Sequence, residues 1–196
     1  MLNKMTGEGS TAIDANILCQ ECGICCDGTL FSFVKVYPEE MVKAKELGIP
    51  VYKDANGRHV FDQACPCFKN GNCSTYLQRP KKCQSFSCKL QKDVMNGAIK
   101  FNDALKIVEL VKKHTGWVRD AIVSKTEATK KDMNYRLMLY DYHKAAAGKN
   151  LRGELSENDE GRIKRIFEQI KLIDRFFEDS SLLRKYADLI QSFKSS

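Results

Sequence analysis

Apolar and polar positions along this chain change rhythm near residue 100. Before that point the apolar residues come in short runs broken by Gly and Pro. The run Thr29-Leu-Phe-Ser-Phe-Val-Lys-Val-Tyr37 is rich in aromatic and β-branched residues and reads as a strand that Pro38 ends. Pro38 to Leu47 then has Pro at the first helical position, two acids in the first turn and Gly48 as a stop, the pattern of a short helix. In Val51 to Phe61, Asn56-Gly57 separates two short runs of strand formers and predicts a tight hairpin. Cys65 to Cys88, with Pro66, Gly71 and Pro80 and no sustained period, reads as loop and short turns.

Beyond Lys89 the period becomes helical. Asn102 or Asp103 caps a helix with Ala104, Ile107, Val108 and Val111 on one face, and Gly116 stands beyond its expected end. A second stretch runs from about Glu127 to Ala147, with Asn134, Leu137, Met138, Asp141 and Tyr142 at helical spacing and Gly148 as its stop. Ser156 caps a third, whose Ile163, Ile166, Phe167, Ile170, Ile173 and Phe177 keep one apolar face. A last helix presents Leu182, Leu183, Tyr186, Leu189, Ile190 and Phe193. These faces are expected to pack on each other and on the cysteine region, ahead of the alternative that they receive a protein partner.

The fold class that follows is α+β: a small cysteine-rich metal-binding region with short strands and a short helix, then a mainly α-helical C-terminal region. Residues 1–16, polar and glycine-containing, are expected to be a mobile or loosely docked arm. Residues 17–100 form the cysteine-cluster domain and 101–196 the helical region.

Composition adds boundaries rather than chemistry. The 196 residues are 43% apolar, enough for a core, and the formal charge of +7 is spread over both halves without a basic tail. Nucleic-acid binding is not indicated. No stretch approaches the roughly 20 apolar residues of a membrane span, and Met1 to Ala15 lacks the apolar run of a signal peptide. A cytoplasmic location is expected, with no membrane association.

All nine cysteines lie between Cys19 and Cys88. A reducing compartment makes clustered thiols metal ligands more often than disulfides, and an odd number leaves one unpaired in any all-disulfide scheme. The first set, Cys19-x-x-Cys22-x-x-Cys25-Cys26, contains two C-x-x-C steps that share Cys22. That is the three-cysteine run of bacterial-type [4Fe–4S] sites, which take a fourth ligand from elsewhere, whereas tetrahedral zinc draws one pair from each of two knuckles. Cys26 follows Cys25 directly, and adjacent side chains do not easily reach one metal, so Cys26 suggests a second site, a supporting role or a bridge. Gly23 supplies backbone freedom to the loop. Cys65-Pro66 has the proline that often turns the chain away after an outlying cluster ligand. His59 stands alone at no metal spacing, and His114 and His143 fall in the helical region. There is no phosphate-binding Gly loop, dinucleotide fingerprint or nucleophile elbow, and no catalytic residue is assigned.

Cys19-x-x-Cys22-Gly23-x-Cys25-Cys26, Cys65-Pro66-x-Phe68, Gly71-x-Cys73-Ser-Thr-Tyr76, Arg79-Pro80-x-x-Cys83 and Phe86-x-Cys88 together resemble the CxxCxxCC-type zinc- or iron-chelating domain family, the YkgJ-like cysteine-cluster proteins. That family includes the metal-binding portion of flagellin lysine methylases. The resemblance runs from about Cys19 to Leu90. It implies eight metal ligands, Cys19, Cys22, Cys25, Cys26, Cys65, Cys73, Cys83 and Cys88. Cys67 stands where the family usually has a bulky apolar residue and is expected to be a buried thiol, with an extra metal ligand as the alternative. Among the other family residues, Arg79 is expected to donate to cluster sulfurs or hold the second loop. Tyr76 and Phe86 are expected to shield the sulfurs, with ordinary core packing as the alternative.

The leading expectation is an iron–sulfur protein with one [4Fe–4S] cluster on Cys19, Cys22, Cys25 and one second-set cysteine, serving a redox role or protein modification or maturation. The alternative is structural zinc in one or two four-cysteine sites that fold a protein-interaction module. Metal storage or delivery is a third reading.

Overall fold

A computed structural model describes residues 8–123 and 135–177. Helix α1 (Glu8–Cys22) leads to strand β1 (Phe33–Lys35), a 3-10 turn at Pro38–Glu40, helix α2 (Met41–Glu46) and strands β2 (Tyr52–Lys53) and β3 (His59–Asp62). Two short strands, β4 (Phe68–Lys69) and β5 (Asn72–Cys73), precede helices α3 (Lys81–Ser85) and α4 (Lys89–Met95). Helices α5 (Phe101–Val123), α6 (Tyr135–Leu151) and α7 (Glu157–Phe177) follow. The architecture is therefore a mixed α+β N-terminal region followed by a mainly helical one.

The segment expected as an arm is helical from Glu8 onward. Ala15, Leu18 and Cys22 make a narrow buried stripe against α4 and α5, and Gln91 of α4 donates its side-chain amide to the Ala15 carbonyl at 3.2 Å. Only one of those three side chains is large, so the stripe is faint in the sequence, and packing rather than propensity holds the helix. Residues 1–7 lie outside the described residues.

Strands β1, β3 and β2 form an antiparallel sheet in that order, with Val34 opposite Phe61 and Tyr52 opposite Val60. The Asn56-Gly57 turn is where the dipeptide predicts it. The Asp54 carboxylate accepts the N–H groups of Asn56 and Arg58, each at 2.9 Å, and Gly57 takes φ +73°. The expected strand from Thr29 is cut back to Phe33, because residues before it close the first cysteine loop. Leu30 N–H donates to Ile24 O at 3.1 Å and Thr29 N–H to Asp27 Oδ1 at 2.8 Å. The segment read as loop contains a second hairpin, β4–β5, turned through Asn70 (φ +52°) and Gly71 (φ +80°).

In the helical region α5 does not stop at Gly116. Val118 and Ile122 continue the buried stripe of Ala104, Val108 and Val111, and that burial offsets the roughly 1 kcal/mol an interior helical Gly costs. Helix α6 likewise passes Gly148. Its buried side chains are Tyr135, Met138, Leu139 and Ala146, whereas Leu137 and Asp141, two of the residues read at helical spacing, are exposed. Ser156 caps α7 as predicted, its Oγ accepting from Asp159 N–H at 3.2 Å. Fully buried Gln169 joins the three helices: it accepts from Tyr135 Oη at 2.8 Å and donates to Thr115 Oγ1 at 2.8 Å. The expected start of the second helix at Glu127 and the whole of the expected last helix lie outside the described residues.

The helices do pack on each other and on the cysteine region. One apolar core draws Leu18, Ile24, Leu30 and Leu90 together with Val108, Val111, Ile173 and Phe177. Among the described residues no helix is long and apolar enough to cross a membrane.

Candidate metal centre

Cys19 and Cys22, three residues apart, sit at the C-terminal end of α1. Gly23 (φ +63°) then lets the chain fold sharply, and its carbonyl accepts the N–H groups of Cys26 at 2.7 Å and Asp27 at 2.9 Å. Cys25 and Cys26 are carried in that turn. The second set is tied to it by the backbone: Cys65 N–H donates to Cys26 O at 2.8 Å. Ser74 steadies the β4–β5 hairpin by giving both its N–H (2.8 Å) and its hydroxyl (3.0 Å) to Cys67 O. Cys73 ends β5, Cys83 lies in α3, and Cys88 caps α4 with its Sγ accepting from Gln91 N–H at 3.4 Å.

These elements surround two adjoining cavities. The outer, of about 260 Å³, is walled by Cys19, Cys25, Cys26, Cys65, Cys73 and Cys83, with Phe31, Phe86, Tyr76 and Arg79 among the other side chains. The inner, of about 40 Å³, is walled by Cys19, Cys22, Cys25, Cys26 and Cys88 and closed by apolar side chains that include Leu18 and Phe177. All eight cysteines expected as ligands thus face one cavity or both, and all nine thiols of the chain are free. Cys67 faces neither. It is 3% exposed in the sheet–α2 core and donates to Leu47 O at 3.5 Å. His59 also lines neither cavity; it pairs with Lys53 in the sheet.

The electrostatics of the thiols follow from this enclosure. Burial is the largest cause throughout, and the neighbouring sulfurs add to it: Cys22 and Cys83 are pushed up to about 12 and Cys65 to about 11, with Cys19, Cys25, Cys26 and Cys88 raised as well. Thiols so placed stay protonated unless a cation replaces the protons. At Cys19 the Arg79 guanidinium opposes the effect of burial.

Arg79 and Tyr76 form a unit on the outer wall. The guanidinium lies 3.7 Å from the Tyr76 ring centroid, and Tyr76 Oη donates to Asn16 O at 3.3 Å, linking the second set to α1. Arg79 Nε and Nη1 are buried and find no hydrogen-bond partner among the described residues, although a guanidinium is rarely enclosed without acceptors. Phe86 lines both cavities and meets Phe31 edge-to-face at 4.8 Å between centroids.

Two observations test whether these residues suit a metal. The cavity walls contain eight thiols and no carboxylate or imidazole, which is a soft donor set for zinc or iron–sulfur. The unpartnered Arg79 donors match the negative charge that metal-bound thiolates would bring. The residues present fit the group. Among the described residues, no three His, Cys, Asp or Glu side chains are already gathered as one ion would require.

Phe177 was legible only as the last apolar position of a helix. Nothing in its local sequence indicates that it ends beside Cys22 and Cys88. The contact of Phe68 with Gly23 was equally hidden, although both residues stand in the cysteine motif.

Residues 18–106 match the model of the CxxCxxCC family, described as "Putative zinc- or iron-chelating domain", and this part of the chain belongs to that family. No curated protein and no solved structure matches the chain.

Proposed function

We propose that this protein holds an iron–sulfur cluster of the [4Fe–4S] type on Cys19, Cys22, Cys25 and one cysteine of the second set, with the remaining thiols serving a second metal. Its role is electron transfer or the modification or maturation of proteins in the cytoplasm. The eight thiols in the walls of the two cavities, with no carboxylate or imidazole beside them, carry this reading. Hard cations such as calcium and magnesium take oxygen ligands, so this donor set disfavours them. Between the soft-metal candidates, the C-x-x-C-x-x-C run supports iron–sulfur. When bound, such a cluster supplies a one-electron couple.

The chain's own residues have separate tasks. Phe31 and Phe86 exclude water from the sulfurs, Arg79 supplies positive charge and N–H donors, and Tyr76 fixes Arg79 against α1. Anaerobic purification followed by iron, zinc and acid-labile sulfide analysis tests the proposal. Stoichiometric iron with sulfide is the expected result; a colourless protein with stoichiometric zinc and no sulfide would sink it.

A structural zinc module is the second reading. The packing of α7 favours it: Phe177 walls the inner cavity, so metal bound there would brace the helical half, whose exposed Leu137 and Tyr140 then offer a surface for a protein partner.

A further inference from the structure

The two sequence sets do not coincide with the two cavities. Cys22 from the first set and Cys88 from the second face only the inner cavity, while Cys65, Cys73 and Cys83 face only the outer. Cys19, Cys25 and Cys26 stand in the walls of both. Adjacent residues in a turn direct their side chains apart, and the neighbours of this pair differ accordingly. Cys25 and Cys88 both pack against the apolar core that contains Cys22, Leu18 and Leu90, whereas Cys65 and Cys83 pack against the separate core around Val36 and Phe61. Cys26 is also joined through its carbonyl to the backbone of Cys65 at 2.8 Å. Cys19 lies three residues before Cys22 at the end of α1, on the same side of the helix, and Cys26 already completes four thiols on the outer side.

We infer that the eight thiols form two four-thiol metal sites which exchange members between the sequence sets. The inner site comprises Cys19, Cys22, Cys25 and Cys88, and the outer site Cys26, Cys65, Cys73 and Cys83. This rests on the reading that the thiols hold metal, and it names Cys88 as the second-set ligand that joins the C-x-x-C-x-x-C run. The step from Cys25 to Cys26 is the divide. The inner site is enclosed by α1, α4 and α7 through Leu18, Leu90 and Phe177, while the outer one faces the larger cavity beside Arg79. The division holds for either metal, since four thiolates suit both zinc and iron–sulfur.

The wild-type chain as purified with its metal provides the test. Partial stripping with a chelator under anaerobic conditions, alkylation of the released thiols and mass spectrometry report which cysteines lose metal together. Half-stripped molecules are expected to carry either one label within Cys19–Cys26 together with labels on Cys65, Cys73 and Cys83, or three labels there together with one on Cys88. Four labels within Cys19–Cys26 while the second set stays protected would overturn the division, as would release of all eight thiols without a half-stripped species. Variants give an independent arm: Cys26→Ser/Cys83→Ser should keep the metal of the inner site alone, and Cys83→Ser/Cys88→Ser none. Equal retention by the two double variants, both folded by circular dichroism, would also overturn it. A wild-type chain without metal would instead refute the proposed function.

Discussion

The ring of Phe68 lies against the α-carbon of Gly23, where any larger residue would have to place its Cβ. This contact presses the β4–β5 hairpin onto the turn that carries Cys25 and Cys26, next to the Cys65–Cys26 backbone hydrogen bond of 2.8 Å. The two cysteine sets are therefore joined by packing before any metal is considered.

Gly23→Ala should disrupt that junction twice over. A Cβ costs about 1–2 kcal/mol at a left-handed backbone position, here φ +63°, and its collision with Phe68 adds about 1–3 kcal/mol of overpacking. Chemical denaturation should show a stability loss of that order, and metal content should fall with it. An unchanged midpoint would mean that the junction does not depend on this approach.

Arg79→Ala should weaken the hold on metal without unfolding the chain. The side chain is stacked 3.7 Å from Tyr76, and its buried Nε and Nη1 have no acceptor among the described residues, so its main expected partner is thiolate charge. Loss of a group supporting metal ligands typically costs about 10–100-fold in metal affinity. Competition with a chromophoric chelator should register a loss in that range, and Arg79→Lys, which keeps charge but not the planar donors, should fall between. Wild-type retention in Arg79→Ala would remove Arg79 from the centre.

Cys67→Ala should keep the full metal complement. The thiol belongs to the core of Val36, Ala44, Ile49 and Phe61, and replacing it costs about 1 kcal/mol in lost packing. Elemental analysis beside Cys22→Ser, which should lose metal, makes the comparison; equal loss in the two would make Cys67 a ligand.

The helical half carries its own acid-sensitive contact at Asp159. Burial raises this carboxyl, but hydrogen bonds from Ser156 and Lys149 outweigh it and bring the group down to about 2. Lys149 Nζ stands 3.0 Å away and Ser156 Oγ 2.8 Å. Because the folded value lies below the unfolded one, the contribution is fully present above pH of about 4 and disappears as pH falls toward about 2. Asp159→Asn should cost about 2 kcal/mol near neutrality, with the difference from wild type shrinking over that window. A gap constant down to pH of about 2 would contradict the assignment.

How much could be read in advance differs from element to element. The Asn56-Gly57 hairpin and the Ser156 cap were legible because each depends on residues within a few positions of one another. Helix α1 was not, since its narrow stripe of Ala15, Leu18 and Cys22 becomes meaningful only against α4 and α5. The second hairpin had a signal in Asn70-Gly71, overshadowed by the irregular cysteine segment around it.

At the centre, the sequence alone determined the thiol donors and the C-x-x-C-x-x-C spacing, because composition and local spacing are written along the chain, while the family resemblance implied that Cys67 stands apart. Tertiary structure decided which sulfurs share a cavity. Cys88 reaches Cys22 through the packing of α4 on α1, Cys65 reaches Cys26 through a backbone hydrogen bond, and Phe177 arrives at the end of α7. Those meetings join residues far apart in sequence, and only burial of the common apolar core brings them together.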